Sequence, residues 1–394
     1  MNDLTSEQEE IRQWARDFAR RSIAPRALAL DKDPESPARD ELLREAAHAG
    51  VIGASLPEFL GGAGHDAFTG VLATEEFAAA CSGCTVLFGA TTLGISPILL
   101  CGDPAPLMQF VPPLVESWQT DAPRLAALAA TEPDTGSDFI FGHADGRAKT
   151  RAVRDGNGYR INGRKVFISN GSIASLVTVF ATTGPGASMR DGMSCFVVPS
   201  DTPGFSVGSV FDKMGQRACP AAELVFEDVW VPQEYLLGQE GTGWALNRMI
   251  MSVSRAPVAA IALGIARSAY EKALEYAEVR VQGGKPIVRH QAMQLMLADM
   301  AIRVEAARAL VWKAARAVAA GEPSLKLSSM AKTYASDAAV ANATDAIQIL
   351  GGYGYMHEYG VEKLLRDAKL TQIYEGTNQI NRFEIMEAVS DERA

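Results

Sequence analysis

Apolar positions along the chain change their period twice. From Leu4 to about Val115 the period is helical: Ile11, Trp14, Ala15 and Phe18 fall on one face, and Leu42, Leu43 and Ala46 on another. The run Pro57-Glu-Phe-Leu-Gly61-Gly62-Ala-Gly64 interrupts this pattern and predicts a loop. No strand precedes its glycines and no Lys-Ser/Thr pair follows them, so they read as an interhelical connection rather than a phosphate loop. From about Leu125 to Trp230 the pattern shortens into β segments. Tyr159 to Asn162 alternates after the turn Asp155-Gly-Asn-Gly158. Val166 to Ser169, Leu176 to Ala181, Cys195 to Pro199 and Leu224 to Val231 follow, each bounded by Gly, Pro, Asn or Asp. That spacing predicts an antiparallel barrel or sandwich. From Gly241 long helical periods return. Met293, Leu297, Met300, Val304, Ala307, Val311 and Ala314 form an apolar stripe, and Gly351-Gly352 ends the next helix.

The order helices, strands, helices predicts an α+β protein in three parts: an N-terminal helical domain over 1–124, a central β domain over 125–236 and a C-terminal helical domain over 237–394. There is no βαβ alternation and no GxGxxG after a strand, which argues against a Rossmann nucleotide site.

With 394 residues, 47% hydrophobic and 21% charged, the chain reads as globular with a sizeable core. Its net charge of −10 argues against nucleic acid as a partner. Met1 to Glu10 lacks the basic and apolar parts of a secretory signal, and the most apolar stretch, Pro257 to Ala266, is too short to span a bilayer. The expectation is a cytoplasmic protein with no membrane partner; an organellar matrix form after removal of a transit peptide stays open. Five cysteines in so long a chain make no disulfide framework. Cys81-Ser-Gly-Cys84 has redox or metal spacing, but no second pair completes a zinc site, so reduced structural thiols are expected. The histidines never cluster at ligand spacing, and no metal is expected.

Short motifs sit at the seams between these parts. Thr131-Glu132-Pro133-Asp-Thr-Gly136-Ser137 is turn-rich and carries hydroxyls where helices give way to strands. Lys165-Val-Phe167-Ile168-Ser169 sets an aromatic two residues before a hydroxyl. Gln348-Ile-Leu-Gly351-Gly352 closes a helix. Tyr374-Glu375-Gly376-Thr377-Asn378-Gln379 places a carboxylate beside a glycine, with Thr377 as N-cap of the last helix.

Together, and in this order, these motifs resemble the acyl-CoA dehydrogenase family over about Leu4 to Arg382. The resemblance implies an FAD-dependent α,β-dehydrogenation of an acyl thioester, carried by coenzyme A or an acyl-carrier protein. It further implies a C-terminal four-helix bundle, a homotetramer built as a dimer of dimers, and an electron-transfer flavoprotein as acceptor. Glu375 stands at the position of the family's base. The family stabilises the enolate with two donors to the thioester oxygen, the base residue's own backbone N–H and a ribityl hydroxyl of FAD. Leu128, Thr131, Ser137, Phe167, Ile168 and Ser169 match positions around the flavin. Arg280, Gln282, His290, Gln291, Gln348, Gly351 and Gly352 match the adenine–pyrophosphate end, bound from a neighbouring subunit. Thr377, Asn378 and Gln379 complete the cofactor set, and Ser137, Arg255, Tyr374 and Gly376 are the expected substrate contacts.

Some positions depart from the family's pattern. Gly283 lies where a Phe is usual, which predicts a missing aromatic wall at the adenine end. Ser252 replaces a common acid, and Cys219 and Ala221 replace frequent hydroxyls. The competing functions are an acyl-thioester oxidase, a flavin monooxygenase on the same fold, and a non-enzymatic scaffold; retention of Glu375 disfavours the last two.

Overall fold

The computed structural model describes residues 4–141, 148–184 and 188–392. Met1 to Asp3 of the acidic N-terminal segment lie outside the described residues.

The N-terminal part is helical: α1 (Ser6–Phe18), α2 (Ala27–Lys32), α3 (Ala38–His48), α4 (Ala67–Leu100) and α5 (Pro104–Ser117). Thr5 opens α1 with a reciprocal capping box to Gln8. Residues 57–64 form a short 3₁₀ turn and loop between α3 and α4, as the glycines require. The helix α4 is broken at Cys81, where φ is −162° and ψ 110°. Gly83 lets another segment enter this kink, because a Cβ there would stand 3.0 Å from the backbone carbon of Gln216.

The central part holds β1 (Ala126–Ala129), the short α6 (Ser137–Phe141), β2 (Arg151–Asp155), β3 (Gly158–Ser169), β4 (Leu176–Thr182), the single turn α7 (Met189–Gly192), β5 (Met193–Pro199), β6 (Phe205–Val210), β7 (Ala221–Pro232) and β8 (Leu236–Leu237). They make one sheet in the order β6-β7-β3-β2-β4-β5-β8, with β1 beside β4. The sheet is mixed rather than wholly antiparallel, since β1 runs parallel to β4 and β2 touches β4 in parallel at Arg151 and Thr182. The two β segments expected at Tyr159 and Val166 are halves of the single strand β3, which bends at irregularities after Ile161 and Lys165.

The C-terminal part is α8 (Gly243–Val279), the hairpin β9 (Val281–Gln282) and β10 (Lys285–Pro286), α9 (Gln291–Ala319), α10 (Leu325–Leu350), α11 (Val361–Thr371) and α12 (Asn378–Asp391). The stripe on α9 is buried from Leu297 to Ala314, and α8 and α10 share a core rich in small residues such as Ala260, Ala266, Ala335 and Ala339. Pro257 lies inside α8 and neither starts nor ends it. The apolar stretch Pro257 to Ala266 therefore belongs to a much longer helix. By length and composition α4 and α8 could each cross a membrane, but most of their apolar surface is buried inside the protein, which marks them as core helices.

The parts are tied together at Asp367 on α11. Its buried carboxylate accepts from Ser82 Oγ of α4 at 2.7 Å, from the Gln216 backbone N–H at 2.6 Å and from Lys363 Nζ at 2.5 Å. All five cysteines are free thiols, and among the described residues no cluster of His, Cys, Asp and Glu could hold a metal ion.

Candidate active site

The loop between α11 and α12 is short and tightly held. Thr377 caps α12, its Oγ1 accepting from the Ile380 N–H at 3.3 Å. Before it, Glu375 and Gly376 lie in succession in the left-handed region, with φ 55° and 86°. For glycine this is free, but for a residue with a Cβ it costs about 1–2 kcal/mol, so something must hold Glu375 there. Arg255 Nε of α8 donates to the Glu375 carbonyl at 2.9 Å. Lys332 Nζ of α10 and Asn381 Nδ2 of α12 donate to the Gly376 carbonyl at 2.7 and 2.8 Å. Three helices thus fix two successive peptide carbonyls.

Arg255, expected on the substrate side, sits behind this loop. It is fully buried, forms an ion pair with Glu384, donates to Ser329 Oγ at 2.8 Å, and orients the Glu375 backbone. Gly376 is buried as well, its carbonyl occupied. Tyr374 is half-buried with its hydroxyl 3.5 Å from Gln216 Nε2, and burial pushes its pKa up.

The Glu375 carboxyl is itself pushed above the ordinary carboxylate range by burial. Three groups work against that shift: the Ser254 hydroxyl, which donates to Oε2 at 2.7 Å, and the charges of Arg255 and Lys332. Among the described residues, neither Oε1 nor the Glu375 backbone N–H has a hydrogen-bond partner within the chain. Ser254 and Lys332 escaped sequence reasoning. The only signal was a lysine inside the small and apolar run Met330-Ala-Lys-Thr-Tyr-Ala335, which the fold buries.

At the end of β3, Phe167 has φ 61° at the strand irregularity, and 64% of it is exposed. Its ring lies 5.0 Å from that of Phe211. An aromatic held open in an uncommon backbone conformation is not a core residue. Ile168 presents its side chain inward. It is buried in the sheet's core, because neighbouring strand residues face opposite ways, so any contact with a ligand there falls to the backbone. Ser169 is half-buried beyond it. Thr131 lies alongside, its carbonyl accepting from the Val166 N–H at 2.9 Å. Leu128 is half-buried on β1, and Ser137 is exposed at the start of α6. Two charged residues of the motifs prove to be anchors: Glu132 and Lys165 form a buried ion pair at 2.8 Å that clips the Thr131 segment to β3. Burial opposes the Glu132 charge, but Lys165 together with the bonds from Lys149 and Thr150 outweighs it and leaves that carboxyl below its usual range.

A cavity of about 850 Å³ is lined by Arg280, Gln282, His290, Gln348, Gly351 and Gly352 together with Tyr276 and Tyr353. The sequence motifs from the end of α8, the start of α9 and the end of α10 therefore converge on one place. Gln291 is exposed beside it but is not part of its lining. Arg280 lies 5.5 Å over the ring of Tyr353, so the aromatic surface absent at Gly283 is present from another direction. Gly283 is at φ 60°, and a Cβ there would meet His290 Cε1 at 3.2 Å, which explains the glycine. A second cavity of about 330 Å³ lies along Thr377, Asn378 and Gln379, with Asp337, Lys369 and Arg382. Within it Gln379 is exposed, whereas the Asn378 side chain is buried and tied to Lys332, Ser336 and Asp337.

Models of the N-terminal, middle and C-terminal domains of acyl-CoA dehydrogenases match residues 5–117, 127–229 and 241–390. An acyl-CoA dehydrogenase of Bacillus subtilis (strain 168) is 43% identical over 380 residues, covering 96% of this chain and 97% of its own. The chain belongs to the acyl-CoA dehydrogenase family. Cyclohex-1-ene-1-carbonyl-CoA dehydrogenase of Syntrophus aciditrophicus (strain SB) is 44% identical over 385 residues, covering 97% of this chain and 89% of its own. The solved structure of butyryl-CoA dehydrogenase from Megasphaera elsdenii superimposes with a TM-score of 0.91 at 38% identity, covering 99% of both chains.

Acyl-CoA dehydrogenases are FAD flavoproteins, and the residues here fit that cofactor. Arg280 supplies a permanent cation suited to a pyrophosphate, Gln282 and Gln348 supply amide donors, and a Cβ at Gly351 or Gly352 would meet nothing within 4 Å, so both backbones stand open. Phe167 offers an exposed aromatic face.

Proposed function

We propose that this acyl-CoA dehydrogenase removes the α-proton of a saturated acyl-CoA thioester with Glu375 and yields the 2-enoyl thioester. One observation carries the reading: among the described residues, Glu375 is held in a left-handed turn with its backbone N–H and Oε1 both without partners, while its own carbonyl and that of Gly376 are held from behind by Arg255, Lys332 and Asn381. Bound FAD supplies the acceptor for the β-hydride. The chain's own part is acid–base and electrostatic. Burial makes the Glu375 carboxylate a stronger base than it would be in water, and Ser254, Arg255 and Lys332 keep enough of it ionised to act. Its free N–H can meet the negative charge that develops on the thioester oxygen; one preorganised donor of this kind contributes about 2.7–4 kcal/mol.

Glu375 and Phe167 do not line the larger cavity, which holds the residues expected at the pyrophosphate end. This separation supports a cofactor site completed by a second copy, and with it a homotetramer arranged as a dimer of dimers. An electron-transfer flavoprotein as acceptor and a cytoplasmic location belong to the same reading. Anaerobic bleaching of the flavin tests it, using a panel of thioesters that includes butyryl-CoA and cyclohex-1-ene-1-carbonyl-CoA, the groups named for its relatives. Bleaching by at least one saturated acyl-CoA is expected. No bleaching by any member of a broad panel would overturn the reading.

A further inference from the structure

Lys332 is an expensive residue to keep where it is. Its side chain is fully buried, and among the described residues no carboxylate forms an ion pair with it. A buried ammonium without a carboxylate partner is normally selected against, because burial penalises the charged form. Its two bonds do not explain it. The Gly376 carbonyl, which it holds at 2.7 Å, also accepts from Asn381 Nδ2 at 2.8 Å. Asn378 Oδ1, which it holds at 2.9 Å, also accepts from Ser336 Oγ at 3.2 Å. Neither acceptor would be orphaned by an apolar side chain at position 332, so hydrogen-bond satisfaction does not require a lysine.

We propose that Lys332 is a positioning residue for the base, holding the peptide after Glu375 and keeping positive charge behind its carboxyl. The inference rests on the reading of Glu375 as that base. The charged groups that face Lys332 are Arg255 on α8, Glu375 on the loop, Asp337 on its own helix α10 and Arg382 on α12. Burial, with the two arginines, pushes the ammonium down to about 7, against the pull of Glu375 and Asp337. Its positive charge in turn lowers the raised pKa of Glu375. The lysine is thus charged over the acidic part of the working range, where the ionisation of Glu375 is in question. Above neutrality the carboxylate no longer needs it.

The sign of the test follows. Removing the charge while keeping the fold lets the Glu375 pKa rise, so the acid limb of flavin reduction moves to higher pH. The measurement is the pH dependence of anaerobic flavin reduction by a saturated acyl-CoA that bleaches the parent, in flavin-loaded Lys332→Met, Lys332→Gln and Lys332→Arg. Met and Gln should shift the acid limb upward, while Arg keeps the limb in place. Their melting temperatures should not fall, and an enoyl-CoA should still perturb their flavin spectra. An unshifted limb in a folded, flavin-loaded Met or Gln variant would overturn the proposal. Failure of both uncharged variants to fold, with Arg folded, would overturn it in favour of a role in stability. Glu375→Gln is run alongside; if that variant reduces its flavin normally, the assignment of the base is what fails.

Discussion

The Ser254 hydroxyl stands 2.7 Å from Oε2 of Glu375, so among the described residues the carboxylate meets its one side-chain donor on Oε2 and keeps Oε1 free. A charge-assisted bond of this kind contributes about 1.5–3 kcal/mol. Burial raises the Glu375 pKa, and Ser254 is the largest of the opposing effects. Ser254→Ala removes that opposition and favours the protonated acid. Flavin reduction should therefore be lost at a higher pH than in the parent as the solution is acidified, with little change at alkaline pH. A limb that moves to lower pH, or not at all, would contradict this placement of the hydroxyl.

Glu375→Gln keeps the size of the side chain and removes the proton acceptor. Reduction by a saturated acyl-CoA should fall by about 10²–10⁴, and solvent exchange of the α-proton should vanish with it. The backbone N–H is untouched, so an enoyl product should still bind. Stopped-flow reduction and deuterium exchange, both on flavin-loaded protein, check the two parts separately.

The cross-subunit cofactor site can be tested by complementation. Glu375→Gln and Arg280→Ala should each be poorly active alone. If Arg280 serves a neighbour's FAD, a co-expressed mixture contains sites with an intact Glu375 from one chain and an intact Arg280 from the other, and activity returns. A mixture no more active than its components would place both residues in one chain's site.

Restoring an aromatic at position 283 looks stabilising from sequence, because the family usually has Phe there. The structure reverses that expectation. A side chain would be strained at φ 60° and would press on His290, whose ring approaches the Gln282 carbonyl at 3.0 Å. Gly283→Phe should lower FAD retention, read as faster flavin release on dilution.

Glu132 carries a structural prediction. Glu132→Gln leaves Lys165 fully buried without its countercharge, which typically costs about 3–5 kcal/mol. Thermal unfolding should show a clear loss of stability. In the parent, the depressed Glu132 pKa contributes stability at pH values above the unfolded carboxylate's pKa, and this contribution is lost as pH falls through the folded value. The variant should lack that acid-dependent component.

Much of this was legible in the order of the motifs. Apolar periods gave the helices of both ends because α9 keeps one face buried over its length, and the turn residues marked β3, β4, β5 and β7. The strand β6 was invisible because its residues are mostly exposed and lack an apolar alternation. The parallel pairing of β1 with β4 is long-range, and no local signal carries it. At the site, Glu375 and the residues of the larger cavity could be matched through local motifs. Arg255 was visible but its direction was not, since a helix residue beside a motif can face the ligand or support the loop from behind. Ser254 and Lys332 act through distances to a loop more than forty residues away in sequence, which spacing alone does not encode.

Asp367 sets a condition on how this chain is made. Its carboxylate is satisfied by Lys363 on its own helix and by Ser82 and Gln216, from segments that emerge from the ribosome much earlier. Until α11 has been synthesised, the break at Cys81 and the turn at Gln216 lack the acceptor that joins them. The N-terminal helices and the sheet can meet earlier, through Thr91 with Ala126 and Gly94 with Thr178, but the seam between Cys81 and Gln216 must wait for nearly the whole polypeptide. A chain cut short before Asp367 would leave that seam without its shared acceptor, so the lock between the kink of α4 and the turn at Gln216 depends on the late arrival of one acidic residue.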